Sequence, residues 1–262
     1  MDDKAADWWA TDIIDMAPGE IRYRGYAVED LIGNVGFSEM VWLMTRGELP
    51  SKGEAALLEV ALMAAVDHGP QAPSIAIARM AATCGVGLNG AMASAVNVLG
   101  DVHGGAGEQA VALYADAVEC GAEAALDAFH AAGGGYVPGF GHRFHPIDPR
   151  APRLMEVVAE AAEAGVVTGD TMRAALAIET ELEARKGRRI PMNIDGATAA
   201  IYAELGFPAP LARGLFCLSR SVGVLAHAWE QTQQGGRNKG PIPRDTSWTY
   251  TGQPPRPVPD GE

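Results

Sequence analysis

Cysteine, aromatic residues and cations are all scarce in this chain of 262 residues. Twenty Lys and Arg stand against 33 Asp and Glu, for a formal charge of −13 and a sequence pI near 4.9. Such a surface repels phosphate backbones and speaks against nucleic acid as a partner. An acidic protein that handles anionic substrates must gather its few arginines locally. Arginine positions therefore carry more information here than carboxylate positions. The three cysteines, Cys84, Cys120 and Cys217, form no Cys-x-x-Cys pair. They argue for reduced thiols in a cytoplasm and against a zinc site. The histidines lie on separate segments without a His-x-x-x-His pair, so no metal is expected. No apolar run is long enough to cross a membrane, and Met1 to Asp15 carries acids where a leader would carry cations. A membrane partner is not expected, nor are internal repeats present.

Alternation of β-branched residues is scarce too, while Ala, Gly and Leu abound. Apolar residues recur at three- and four-residue spacing over Glu54–Val66, Ile75–Leu99, Glu108–Glu119, Ala122–Ala132, Arg153–Ala164, Asp170–Arg185, Ala197–Leu205 and Leu211–Gln231. Gly or Pro separates most of these windows. Over Thr11–Tyr26 the pattern changes: two short apolar pieces flank Pro18-Gly19, which reads as a hairpin. The fold class is mainly α, with a short N-terminal hairpin. The Ala/Gly/Ser-rich window Ile75–Leu99 suits close helix packing, within the protomer or against a second one. From Gly235 the chain becomes an irregular arm, whose Trp248 and Tyr250 suggest that it docks on something.

The richest stretch chemically is 137–150, Val-Pro-Gly-Phe-Gly-His-Arg-Phe-His-Pro-Ile-Asp-Pro-Arg. Its Gly/Pro-rich bend puts His142 where backbone can approach a ligand. Arg143 and Arg150 add two cations nearby. A histidine between guanidinium groups suits a substrate with several carboxylates and a reacting carbonyl. Other candidates carry rival readings. His103, before Gly104-Gly105, reads equally as a cap or loop histidine. Asp195, after Asn193, reads as an N-cap of the following helix. Arg220 lies in an apolar helix, where a buried cation needs a partner: a ligand or an internal salt bridge. Lys186, Arg188 and Arg189 form a basic knot, which suits phosphate or helix C-terminal charge compensation. His130 and His227 read as structural or surface residues.

Together the blocks Asp67-His68-Gly69-Pro70, His103-Gly104-Gly105, Gly141-His142-Arg143…Asp148-Pro149-Arg150 and Pro191-Met192-Asn193-Ile194-Asp195-Gly196, followed by Ser219-Arg220-Ser221, resemble the citrate synthase family in order and spacing. The amino-terminal Arg22-Tyr23-Arg24-Gly25-Tyr26 and Gly47-Glu48-Leu49-Pro50 do so too. Only Ser51 to Val66 separate the last of these from the Asp67-His68 block, where full-length citrate synthases have a long helical insertion. The loop after His142 is one residue shorter, with His145-Pro146 in the gap. Both departures resemble citryl-CoA lyases and the lyase-like end of ATP citrate lyase.

The resemblance implies a two-domain helical fold. Residues 1–104 and 201–262 would form the large domain and 105–200 the small one. It implies cleavage of citryl-CoA to acetyl-CoA and oxaloacetate, with a compact citrate or 2-methylcitrate synthase as the alternative. A non-catalytic member that binds acyl-CoA or a partner subunit is the third reading. Asp195 would be the base and His103 the donor to the thioester oxygen. His142 would donate to the ketone oxygen, or take the alcohol proton in the cleavage direction. His68, Arg150, Arg220 and Arg244 would hold the dicarboxylate, the last by reaching into a neighbouring subunit. Gly139, Gly141, Arg143, Lys186, Arg188 and Arg189 would receive CoA. No permanently bound cofactor is implied, since the CoA thioester is a substrate. A homodimer or higher homo-oligomer is expected.

Overall fold

The computed structural model describes residues 7–243 and 245–257. It is mainly helical, as expected, with one small sheet. Strands β1 (Ile14–Ala17) and β2 (Glu20–Tyr23) pair antiparallel, with Ile14 opposite Tyr23 and Ala17 opposite Glu20. Pro18 presets the turn between them, and Gly19 takes the left-handed φ of 84° that it needs. A third strand, β3 (Tyr26–Ala27), which the apolar pattern is too short to reveal, pairs with β2. Arg24 fastens this sheet to the helices by donating to the Met44 carbonyl at 2.9 Å.

The helices are α1 (Val28–Leu31), α2 (Phe37–Arg46), α3 (Lys52–Ala64), α4 (Pro73–Thr83), α5 (Leu88–Val96), α6 (Ala106–Cys120) and α7 (Ala122–Ala131). They continue as α8 (Arg150–Glu163), α9 (Asp170–Lys186), α10 (Ile194–Glu204) and α11 (Ala209–Gln233). Local sequence explains several ends. Ser51 and Glu54 form a reciprocal capping box at α3. Pro73 opens α4 at a position where its missing N–H costs nothing. Gly187 closes α9 with a left-handed φ of 64°.

Two windows are corrected. Ile75–Leu99 is two helices, because Cys84–Gly87 form a turn in which Gly85 has φ 82°. The helix Phe37–Arg46 has no counterpart among the expected windows. It buries Ser38, Val41, Trp42 and Leu43 and ends at Gly47, whose φ is 92°.

Helix α10 lies at the centre. From Ile194 to Tyr202 only Asp195 escapes full burial, and the helix packs against α3, α6, α8 and α9. A helix apolar nearly all round belongs inside a protein. Trp42, Leu58, Tyr114, Ile178, Tyr202 and Phe216 belong to the core around it. A smaller core of Ile75, Ala78, Ala91, Ala95, Val224 and Ala228 joins α4 and α5 to α11. Its small side chains allow the close packing expected of this region, here within one chain. The arm returns at once to α4: the N–H of Asn238 donates to the Thr83 carbonyl at 2.8 Å, and that of Lys239 to Thr83 Oγ1 at 3.0 Å. Beyond that anchor Trp248 and Tyr250 are exposed.

Candidate active site

Helix α11 fixes the first part of the site. Arg220 Nε donates to the Ala65 carbonyl at 3.2 Å, and the N–H of Gly223 to the Val66 carbonyl at 3.1 Å. A Cβ at Gly223 would fall 2.3 Å from the Val66 oxygen, so only glycine admits this contact. The chain then turns through Asp67 and His68. Asp67 Oδ2 accepts from the N–H of Gly69 at 3.0 Å, and Oδ1 lies 3.2 Å from His227 Nε2. His227 is thus tied to Asp67, and His130 Nδ1 lies 2.8 Å from the Gly134 carbonyl.

His103 acts as a cap, though not of its own segment. Its Nε2 accepts from the N–H of Ser74 at 3.2 Å and lies 3.0 Å from Ser74 Oγ. Ser74 is in the first turn of α4, where N–H groups lack helical partners. The imidazole therefore caps another helix. An acceptor at Nε2 leaves the proton on Nδ1. Burial and then the charge of Arg220 hold His103 below the ordinary histidine range, in its neutral form.

The His142 loop is laced to the start of α10. Gly141 donates its N–H to the Pro191 carbonyl at 2.7 Å, Asn193 its own to Gly139 at 2.9 Å, and Asn193 Nδ2 donates to the Gly141 carbonyl at 2.7 Å. Gly139, at φ 85°, lies so close that a Cβ there would meet Gly196 Cα at 2.7 Å. Within the loop, the backbone N–H groups of Phe144 and His145 both donate to His142 Nδ1 at 3.0 Å. That nitrogen cannot also carry a proton. The proton of the neutral ring therefore sits on Nε2.

Asn193, and not Asp195, is the N-cap of α10: its Oδ1 accepts from the N–H groups of Asp195 and Gly196 at 2.9 and 3.2 Å. This frees the Asp195 carboxylate to face the cavity. Burial raises its pKa, and the charges of Arg220 and Arg150 oppose the rise. Arg220 is 4 % exposed, with its guanidinium 4.9 Å from the centre of the Phe216 ring. No carboxylate lies within 4.0 Å of it among the described residues, so the internal salt bridge is not formed.

One cavity of about 700 Å³ is lined by His68, His103, His142, Asp195 and Arg220, with Phe144, His145 and Phe216. The His68 and His142 rings meet edge to face with centroids 5.1 Å apart. Burial, then Arg150, His142 and Arg220, lower the His68 pKa. Burial, His145 and Arg150 lower that of His142, against a pull upward from Asp148. Arg150 stands just outside the lining; its Nε and Nη2 are both held by Asp148 at 2.9 Å.

A second cavity, of about 560 Å³, adjoins the first through His142, Arg143 and His145. Tyr136, Val137, Gly141, Lys186, Arg188 and Arg189 line it, so five of the six residues expected to receive CoA gather there. Gly139 does not. It is spent on the contact with Gly196. Arg189 is partly engaged by Glu179 at 3.0 Å, whereas Lys186 and Arg188 have no ion-pair partner among the described residues. Arg244 lies outside the described residues. The residues missed from sequence are Ser74, Asn193, His145 and Asp148. Ser74 lies in the first turn of α4 and the others inside blocks already singled out. The His103 partner of Ser74, the Gly141 partner of Asn193 and the Ile194 partner of Asp148 are remote in the chain, while His145 bonds His142 three residues away.

Comparison with known proteins agrees with this geometry. The family described as "Citrate synthase, C-terminal domain" matches residues 1–56 and 51–244. A citrate synthase of Heyndrickxia coagulans is 30% identical over 202 residues, 76% of this chain and 53% of that protein. The chain thus spans about half the length of the citrate synthases it matches. The structure of citryl-CoA lyase from Hydrogenobacter thermophilus superposes with a TM-score of 0.86 and 33% identity, covering 96% of this chain and 97% of that one. ATP citrate lyase from Methanothrix soehngenii, in complex with citrate and coenzyme A, shares the fold at a TM-score of 0.81 and 23% identity, over 97% of this chain and 45% of that one. The chain belongs to the citrate synthase family.

Proposed function

We propose that the protein is a citryl-CoA lyase, releasing acetyl-CoA and oxaloacetate. The observation that carries this reading is the convergence of His103, His142, Asp195 and Arg220 on one cavity beside a second, basic one. Lyase is preferred to synthase because the fold matches the Hydrogenobacter lyase at a TM-score of 0.86 and solved citrate synthases at 0.67 and 0.66.

In the cleavage direction the tertiary alcohol of citryl-CoA gives its proton to solvent and becomes the ketone of oxaloacetate. The carbon–carbon electron pair moves toward the thioester, forming the enolate of acetyl-CoA. The Nδ1–H of His103 donates to that enolate oxygen, and the Nε2–H of His142 to the oxygen that becomes the ketone. Both stabilise charge from fixed, neutral donors in a buried setting, which avoids reorganisation during the step. Asp195, as a carboxylic acid, protonates the enolate carbon and regains its proton from solvent. Its raised pKa favours the acid form that this direction needs. Arg220, Arg150 and His68 hold the two oxaloacetate carboxylates. Lys186 and Arg188 take CoA phosphate, with Arg143 and Gly141 at the passage between the cavities.

Residues 1–104 and 201–262 are proposed to carry His68, His103 and Arg220 as one domain, and 105–200 to carry His142, Arg150 and Asp195 as the other. A homodimer fits the exposed stripe of Leu218, Val222, Leu225 and Trp229 on α11. Arg244 would then complete the neighbour's site. Free thiols at Cys84, Cys120 and Cys217 fit a reducing cytoplasm.

The deciding experiment supplies citryl-CoA, and separately acetyl-CoA with oxaloacetate, and follows acetyl-CoA, free CoA and citrate by mass. Acetyl-CoA and oxaloacetate should dominate from citryl-CoA. Rapid release of free CoA and citrate would instead make the protein a compact citrate synthase. CoA binding without turnover would leave a non-catalytic acyl-CoA-binding subunit.

A further inference from the structure

Asp148 is the buried carboxylate that the mechanism leaves unused. It is 1 % exposed. Oδ1 accepts from Arg150 N at 3.1 Å and from Arg150 Nε at 2.9 Å. Oδ2 accepts from Arg150 Nη2 at 2.9 Å and from the N–H of Ile194 at 3.0 Å. Ile194 is the first residue of α10, and its N–H has no helical partner. A buried charge is expensive unless fully paired, and here every bond ends on a neighbour of the reacting groups. Burial alone would raise the carboxyl pKa. The bonds from Arg150 and Ile194 outweigh it and hold Asp148 ionised.

We propose that Asp148 is a positioning residue: one buried carboxylate fixes both the plane of the Arg150 guanidinium and the first turn of α10, so that the carboxylate-binding cation and Asp195 keep a constant spacing. The inference rests on the proposed handling of oxaloacetate at this site. Its geometric consequence is specific. A side-on fork uses Nε–H and one Nη2–H, so Arg150 offers a ligand carboxylate its end-on donors, Nη1–H and the second Nη2–H, aimed by Asp148. Without Asp148 the side chain regains its rotamer freedom, and Ile194 loses its acceptor. The rival idea is that Asp148 merely occupies Arg150 until a substrate carboxylate displaces it. The bond to Ile194 and the near-complete burial argue for a permanent partner.

The test compares Asp148→Asn, Arg150→Gln and the double variant. Oxaloacetate and CoA binding are measured by calorimetry, beside citryl-CoA cleavage. Asp148→Asn keeps the shape and an acceptor for Ile194 but loses the charged fork. Oxaloacetate affinity should fall at least ~10-fold, the effect of losing charge-assisted hydrogen bonds, while CoA affinity holds. In the Arg150→Gln background the same change should cost oxaloacetate little, because the arginine it aims is gone. A purely structural role would instead lower the melting temperature and spare oxaloacetate binding by the folded protein. Unchanged or tighter oxaloacetate binding, or additive losses in the double variant, overturns the proposal. Should Asp148→Asn not fold, Asp148→Glu keeps the charge but shifts the carboxylate by one methylene. Unchanged oxaloacetate affinity there also overturns it. The unaltered protein separates the two levels of inference. If it neither binds oxaloacetate nor cleaves citryl-CoA, the functional reading fails and this one with it. If it does both and the variants behave normally, only the role of Asp148 fails.

Discussion

At the scale of single residues, the site is a set of protons held in chosen places. Backbone N–H groups fix His103 through Nε2 and His142 through Nδ1, so each presents its other nitrogen as a donor. In the proposed reaction Asp195 gives or takes a proton, and burial raises its pKa. Condensation needs its carboxylate and should accelerate as pH rises through that pKa. Cleavage needs its acid and should slow over the same window. Rate–pH profiles in both directions check this, and Asp195→Asn should remove both limbs. That variant should lower turnover by at least ~10²-fold, the lower range for general acid–base catalysis, while oxaloacetate still binds. Unchanged turnover would remove Asp195 from the chemistry. Arg220→Lys should weaken oxaloacetate by about 1.5–3 kcal/mol, the worth of a hydrogen bond to a charged group. CoA binding should hold, and equal weakening of both ligands in calorimetry would argue against a carboxylate-binding role.

At the scale of elements, two glycine contacts set where the catalytic segments stand. Gly139 against Gly196 seats the His142 loop on α10, and Gly223 against Val66 seats the His68 turn on α11. Gly139→Ala adds a side chain at φ 85° with Gly196 Cα only 2.7 Å away. Backbone strain of this kind costs about 1–3 kcal/mol. Denaturant unfolding should report at least that loss, and oxaloacetate binding should weaken with it because Asn193 and His142 move together. Full stability in Gly139→Ala would show that the loop can stand off from α10. The hairpin and seven of the eight helical windows followed from turn residues and periodicity. The break at Cys84–Gly87 did not, because the apolar spacing continues across it.

At the scale of the whole molecule, three half-buried histidines tie stability to pH. His68, His103 and His142 are all held below the ordinary value of 6.5. As pH falls through 6.5 the unfolded chain takes up protons first, so stability should decrease toward acid. Asp195 acts in the opposite sense, since its raised pKa lets the folded protein bind a proton first. Asp195→Asn removes that opposing group, and a melting temperature of this variant flat from pH 7.5 to about 5.5 would contradict the histidine trend. The arm supplies a second test. Cutting after Gln234 removes the anchor on Thr83 and everything beyond it. Activity should vanish with the helical content intact. If Arg244 serves a neighbouring site, mixing this truncated protein with Asp195→Asn should restore some activity in hybrid dimers. No recovery after proven subunit exchange would assign the arm to its own chain.

The sequence by itself determined the helical class, the hairpin at Pro18-Gly19, and the segments that carry His68, His103, His142, Asp195 and Arg220. These are local matters: periodicity, turn chemistry, and ordered motifs in which each residue type suits one part of the reaction. Only the tertiary structure decided which nitrogen of each imidazole holds the proton. That depends on N–H groups at Ser74, Phe144 and His145, and for His103 the donor lies 29 residues away. It likewise gave the cap of α10 to Asn193, left Arg220 without an internal carboxylate partner, and made one buried carboxylate, Asp148, the tie between Arg150 and Ile194. The bonds of His103 to Ser74, of Arg220 to Ala65 and of Asp148 to Ile194 are set by distances and directions between groups far apart in the chain, and no local pattern encodes these until the helices pack.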